Sequence, residues 1–156
     1  MGLCDTPAIV YLGDKLLYHI ACEMRTLPED ATVAEKIRFY RMKRDMNGDM
    51  LAELIGMSRF AIMYYESGER EPLLHDLKNM AAVLGIEADK LYDDYYRFLD
   101  YPCSAKIKEI RAAHNLTQNR LGKILVVDRR TVERWENGKT SVSRNTWDKL
   151  KGLGFI

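Results

Sequence analysis

The sequence predicts an all-α protein: two tandem helical domains, of five and four helices, behind a short N-terminal extension. Three observations carry this. Apolar residues recur at helical spacing behind capping residues: Leu121, Ile124 and Leu125 follow Thr117, and Val132 and Trp135 follow Asp128. Sliding the chain by 70 residues superposes it on itself without a gap. Charge is divided along the chain: residues 1–100 hold 12 Lys+Arg against 18 Asp+Glu, and residues 101–156 hold 12 against five. A total of +1 therefore conceals an acidic half at −6 and a basic half at +7, the pattern of a nucleic-acid-facing module beside an acidic one.

In chain order, residues 1–27 form an extension in which Ile9–Leu12, Gly13-Asp14 and Leu16–Tyr18 fit a hairpin or a strand–turn–helix equally. Leu27-Pro28-Glu29-Asp30 is a turn, and Thr32 with Glu35 is a capping box that opens a helix. Residues 28–100 make the acidic domain, with helices at about 33–44, 48–55, 59–67, 74–84 and 88–98. Gly56, Gly68 and Gly85 punctuate three of them. Leu77, Met80, Ala81 and Leu84 give the fourth helix its buried stripe, and Leu91, Tyr95 and Phe98 give one to the fifth.

Residues 101–156 make the basic domain, with helices near 105–114, 118–125, 129–137 and 144–151. The repeat aligns Ile37 with Ile107, Leu51 with Leu121, Leu54 with Ile124, Ile55 with Leu125, Ile62 with Val132 and Tyr65 with Trp135. The fourth helix carries Trp147 and Leu150. With no fifth helix after it, this domain is expected to close its core with Phe155 and Ile156 or with the first domain.

Composition excludes several classes. An apolar fraction of 47% with 30% charged residues describes an ordinary globular protein, and no apolar run reaches the length of a membrane span. No secretory signal opens the chain, and Met1-Gly2 through Thr6 fits a myristoylation pattern only as short motifs do by accident. Cys4, Cys22 and Cys103 are too scattered for a zinc site and odd in number for a disulfide framework. They fit apolar fillers in the reducing cytoplasm. His19, His75 and His114 are scattered too, and no nucleophile–base arrangement, phosphate-cradling loop or metal motif is present. The expectation is a non-enzymatic protein without cofactor or metal.

The segment from Asn115 to Gly138 resembles the helix-turn-helix of the Cro/CI/XRE repressor family. Leu116-Thr117-Gln118, Leu121, Val127, the Arg129–Arg134 run and Trp135-Glu136-Asn137-Gly138 carry the resemblance. The repeat extends it to two tandem copies, over about residues 32–98 and 104–151. Double-stranded DNA is the implied ligand. Gln118 and Thr131 would sit near phosphates, Arg129, Arg130, Glu133 and Arg134 would project into the major groove, and Asn137 and Lys139 would lie near the backbone beyond. Arg130 or Arg134 is the implied bidentate reader of guanine. Arg41 with Glu66, and Arg111 with Glu136, share a 25-residue spacing. The resemblance assigns both couples to partly buried ion pairs between the first and third helices.

The copies differ where DNA would be read. Gly48 replaces the family's glutamine, and Phe60, Ala61, Met63 and Tyr64 replace polar donors on the first recognition helix. Apolar side chains touch thymine methyls but supply no donor–acceptor code. Phe60, Met63 and Tyr64 are expected instead to meet protein: a second copy in a homodimer, a separate partner, or residues 1–27. In the second copy Val126 stands where the family prefers glycine in the turn, and a β-branched residue resists positive φ. These features imply a cytoplasmic, sequence-specific DNA-binding regulator of the repressor type. The alternative is a phage- or plasmid-type protein-binding inhibitor or antitoxin that keeps a helix-turn-helix for autoregulation.

Overall fold

The computed structural model describes residues 26–156. The hairpin or strand–turn–helix expected within residues 1–27, together with Cys4, Cys22 and His19, lies outside them. Among the described residues the protein is all-helical, and no helix is long and apolar enough to cross a membrane. The chain divides into two compact units, Met1–Leu91 and Tyr92–Ile156.

The first unit holds α1 (Val33–Lys43), α2 (Gly48–Ile55), α3 (Arg59–Ser67) and α4 (Leu74–Leu84), then a 3-10 turn at Ala88–Lys90. The capping box at Thr32 is complete: its hydroxyl accepts from the Glu35 N–H, and the Glu35 carboxylate accepts from the Thr32 N–H. Asn47 and Ser58 cap α2 and α3 in the same way, through the N–H groups of Met50 and Ala61. Ile37, Leu51, Ile62, Leu77, Met80, Leu84 and Leu91 are fully buried and form the core. Asp76 is buried as well, and its carboxylate accepts from the Tyr65 hydroxyl at 3.1 Å and from the Leu73 N–H at 3.2 Å. Burial, then the charge of Asp76, pushes the Tyr65 phenol pKa up.

The second unit holds α5 (Asp94–Asp100), α6 (Cys103–Ala113), α7 (Gln118–Leu125), α8 (Arg129–Glu136) and α9 (Arg144–Gly152). The expected helix over 88–98 is thus two pieces in two units, and the break falls at Leu91/Tyr92 rather than at Tyr101. The cause is local. Asp93 adopts extended backbone and its carboxylate accepts from the Tyr96 N–H, so a new helix starts there. Its aromatic face then belongs to the second core. Tyr92, Tyr95 and Tyr96 are buried, the Tyr95 hydroxyl donates to the Val142 carbonyl at 2.9 Å, and its ring meets Trp147 edge-on at 5.9 Å. The Arg144 guanidinium lies 4.4 Å from the Tyr95 ring centre, 5.4 Å from that of Tyr96 and 2.7 Å from the Asp93 carboxylate.

This aromatic cluster closes the core: of the two expected means, Phe155 with Ile156 or the first domain as bounded at 28–100, residues of the latter stretch do it. Phe155 instead stacks on His114 at 4.3 Å, Ile156 is exposed, and Phe98 is only half-buried. Moving residues 92–100 changes the balance of charge: the second unit carries 13 Lys+Arg against eight Asp+Glu, a net +5.

One further expectation fails in both copies. Leu54 and Ile124, matched by the repeat as core residues, are both exposed. On helices of eight residues the buried arc is narrow, and Leu51 with Ala52, or Leu121 with Leu125, already fills it.

Candidate nucleic-acid interface

The second unit's two short helices are placed by their caps. Thr117 accepts from the Arg120 N–H and Asp128 from the Arg130 N–H, the latter at 2.7 Å. The turn between them is tight. Val126 ends α7 at φ 61°, the left-handed conformation that Gly56 supplies at the same place in the first copy. Lys149 reaches across from α9 and donates to the Leu125 carbonyl at 3.2 Å, which satisfies one of the carbonyls left open by the helix end. Gly122 makes the close approach possible, because a Cβ there would lie 2.8 Å from the Val127 carbonyl oxygen. Its role is not visible in the 70-residue comparison, where its counterpart is Ala52.

Val126 is 79% exposed, so its side chain gains little to offset the strain of its backbone. Val126→Gly should therefore stabilise the unit. Relief of about 1–2 kcal/mol of left-handed strain, less about 0.4–1 kcal/mol of added unfolded-state entropy, leaves a gain of about 1 kcal/mol. Thermal melts check this; a lowered midpoint refutes the strain.

Behind α8 lies the bracing ion pair. Arg111 Nε is 2.7 Å from Glu136 Oε1, Arg111 Nη1 donates to the Leu116 carbonyl, and the Gln118 amide donates to Glu136 Oε2 at 2.8 Å. In the first unit Arg41 holds both oxygens of Glu66 itself, at 2.5 and 2.6 Å, and donates to the Met46 carbonyl. Gly48 has no side chain to share the task. Gln118, read from the family pattern as a phosphate contact, is thus also a brace between α7 and α8.

Burial works to raise the Glu136 pKa, but hydrogen bonds from Arg111 and Gln118, with the charges of Arg111 and Lys108, outweigh it and hold the value below normal. The Arg111 guanidinium is pushed up by the hydrogen bond to Glu136. A carboxyl that binds its proton less readily when folded adds stability above its unfolded pKa, about 4.5, and loses it as the pH falls through the lowered folded value. Melts of the second unit should therefore weaken over that acid range, and Glu136→Gln should flatten the dependence. An unchanged profile in the variant refutes the assignment.

In front of α8 the side chains reach solvent. Arg130, Arg134, Asn137 and Lys139 are exposed, and Thr131 and Glu133 are half-buried. Arg129 lies 3.8 Å from Glu133, so these two charges partly offset each other. Among the described residues neither Arg130 nor Arg134 has a side-chain partner. Arg120 and Lys123 on α7 are exposed too. A shallow cleft of about 340 Å³ at the head of α7 is lined by Arg111, Thr117, Gln118, Asn119 and Arg129. Asn119 in that cleft was not among the residues singled out by sequence. The corresponding cleft of the first unit, about 200 Å³, is lined by Gly48, Asp49, Arg59, Ile62, Met63 and Glu66.

There the recognition helix α3 presents Phe60 and Met63 to solvent. Tyr64, expected to point outward with them, is half-buried, with the Arg70 guanidinium 6.0 Å from its ring centre. Ala61 is half-buried as well.

The helix-turn-helix family matches the chain over residues 37–91 and 107–150, more than half of its length. The chain belongs to the helix-turn-helix family. Each matched segment falls within one compact unit, so the protein is a tandem helix-turn-helix, of a family of DNA-binding regulators. It is similar to the cryptic phage CTXphi transcriptional repressor RstR of Vibrio cholerae, at 29% identity over 79 residues, 51% of this chain and 71% of the relative. No solved structure matches it.

Proposed function

We propose that this helix-turn-helix protein is a cytoplasmic, sequence-specific DNA-binding regulator of the repressor type. The second unit reads duplex DNA, and the first supplies a protein contact. The observation that carries the reading is the contrast between corresponding faces. Among the described residues α8 offers Arg130 and Arg134 without side-chain partners, whereas α3 offers Phe60 and Met63. Forked guanidiniums match guanine edges in the major groove, and apolar side chains do not. Gln118 and Thr131, at the starts of α7 and α8, are suited to phosphates, as are Asn137 and Lys139 beyond α8. The similarity to a phage repressor supports the regulatory role.

The test is to select a preferred duplex from a random pool with the full chain and then compare variants on preferred and random DNA. Arg130→Ala is expected to lose about 1–3 kcal/mol on the preferred site and to relax specificity there. Lys139→Ala is expected to weaken all sequences alike and to reduce the salt slope by about one. Equal losses on both duplexes for both variants refute the assignment.

A second reading, an inhibitor or antitoxin that keeps the second unit for autoregulation, is favoured by one observation: the apolar side chains left exposed on the first unit.

A further inference from the structure

We infer that the outer face of α3 in the first unit, with the cleft beside it, is a docking site for an amphipathic segment of a separate protein, apolar at its centre and basic at its flanks. The inference rests on the reading of the first copy as a protein contact and names its partner. Phe60 and Met63, at i and i+3 on α3, are 61% and 48% exposed, and Met63 also lines the cleft that α3 shares with Gly48 and Asp49 of α2. An apolar pair at this spacing beside a cleft suits the anchors of an incoming helix.

Charge selects the occupant. With Glu66 held by Arg41 of α1, residues 47–70 present two basic side chains, Arg59 and Arg70, against three acidic ones, a net −1. With Glu136 likewise held by Arg111, the corresponding residues 117–140 present six against two, a net +4. Arg59 is drawn to Asp49 at 3.6 Å and Arg70 lies over Tyr64, while Glu53 and Glu69 are exposed. A second copy meeting this face through its own would bring Glu53 and Glu69 of both chains around one apolar centre, and like charges at a desolvated rim disfavour that contact. DNA is disfavoured by the same charges. A segment with Lys or Arg beside apolar anchors satisfies both terms.

Panning a displayed random-peptide library on the full chain tests this. Enriched peptides should carry apolar residues at helical spacing beside Lys or Arg. They should lose roughly tenfold or more in affinity on Phe60→Asp and on Met63→Asp, as hot-spot contacts do. They should weaken on Glu53→Lys, with circular dichroism showing all three variants folded. Acidic or uncharged binders, binders indifferent to Phe60→Asp and Met63→Asp, or no enrichment at all would overturn the proposal. So would sedimentation showing a wild-type dimer that Phe60→Asp separates. Random-duplex binding by the same variants reads the division of labour separately: a loss there shows that the first copy contacts DNA, which removes the ground of this inference while leaving α8 as a reader.

Discussion

A fragment beginning at Tyr101 is expected to remain unfolded, whereas one beginning at Tyr92 is expected to fold and to melt cooperatively. The shorter fragment lacks Tyr92, Tyr95 and Tyr96, all buried in the second unit. Full burial of a large side chain contributes about 1.5–3 kcal/mol, so three together amount to about 5–9 kcal/mol. That equals much of the about 5–15 kcal/mol by which a domain is ordinarily stable. The truncation also removes the Asp93 carboxylate from Arg144 and the tyrosine ring from Trp147. Circular dichroism and thermal melts of the two fragments decide the matter; equal melts would show that α5 is dispensable to this core.

The second large effect concerns Glu136. Replacing it with alanine strands the Arg111 guanidinium and leaves the Gln118 amide without its acceptor. Breaking a buried pair at one partner ordinarily costs about 3–5 kcal/mol. Arg111 keeps 30% of its side chain exposed and retains the Leu116 carbonyl, so the lower end of that range, about 3 kcal/mol, applies. The double variant Arg111→Met with Glu136→Leu should recover a large part of the loss, because neither charge is then left alone. Both tryptophans of the chain, Trp135 and Trp147, lie in the second unit, so urea titration followed by tryptophan fluorescence reports this unit selectively. Additive losses in the double variant would show that the pair is not coupled.

Most of the helices were legible because their ends are written in the sequence. Thr32, Ser58, Thr117 and Asp128 each sit one residue before the helix they cap, and Gly56, Gly68 and Gly85 end helices at positive φ. The spacing Leu91, Tyr95, Phe98 was equally real as a helical pattern, but an apolar stripe does not say which core it faces. Tyr95 serves the later one, separated from Leu91 by the helix start that Asp93 caps. The repeat misled at Leu54 and Ile124, since two copies can share an exposed apolar position as readily as a buried one. At the candidate interface, charge and exposure followed from the pattern of α8. The grip of Gln118 on Glu136 did not, because hydrogen-bonding partners 18 residues apart are set by the angle between helices rather than by local spacing.

The turn between α7 and α8 makes the order of mutations matter. The first copy places Ala52 and Gly56 where the second places Gly122 and Val126, so each turn contains one glycine, at opposite ends of the same five residues. Gly122→Ala made first drives a Cβ to within 2.8 Å of the Val127 carbonyl while Val126 still holds its backbone at positive φ. Val126→Gly made first frees that backbone to shift before the methyl group arrives. The two sites are therefore epistatic, and a lineage or a designer converting one turn into the other meets a barrier along one route and a nearly level path along the other.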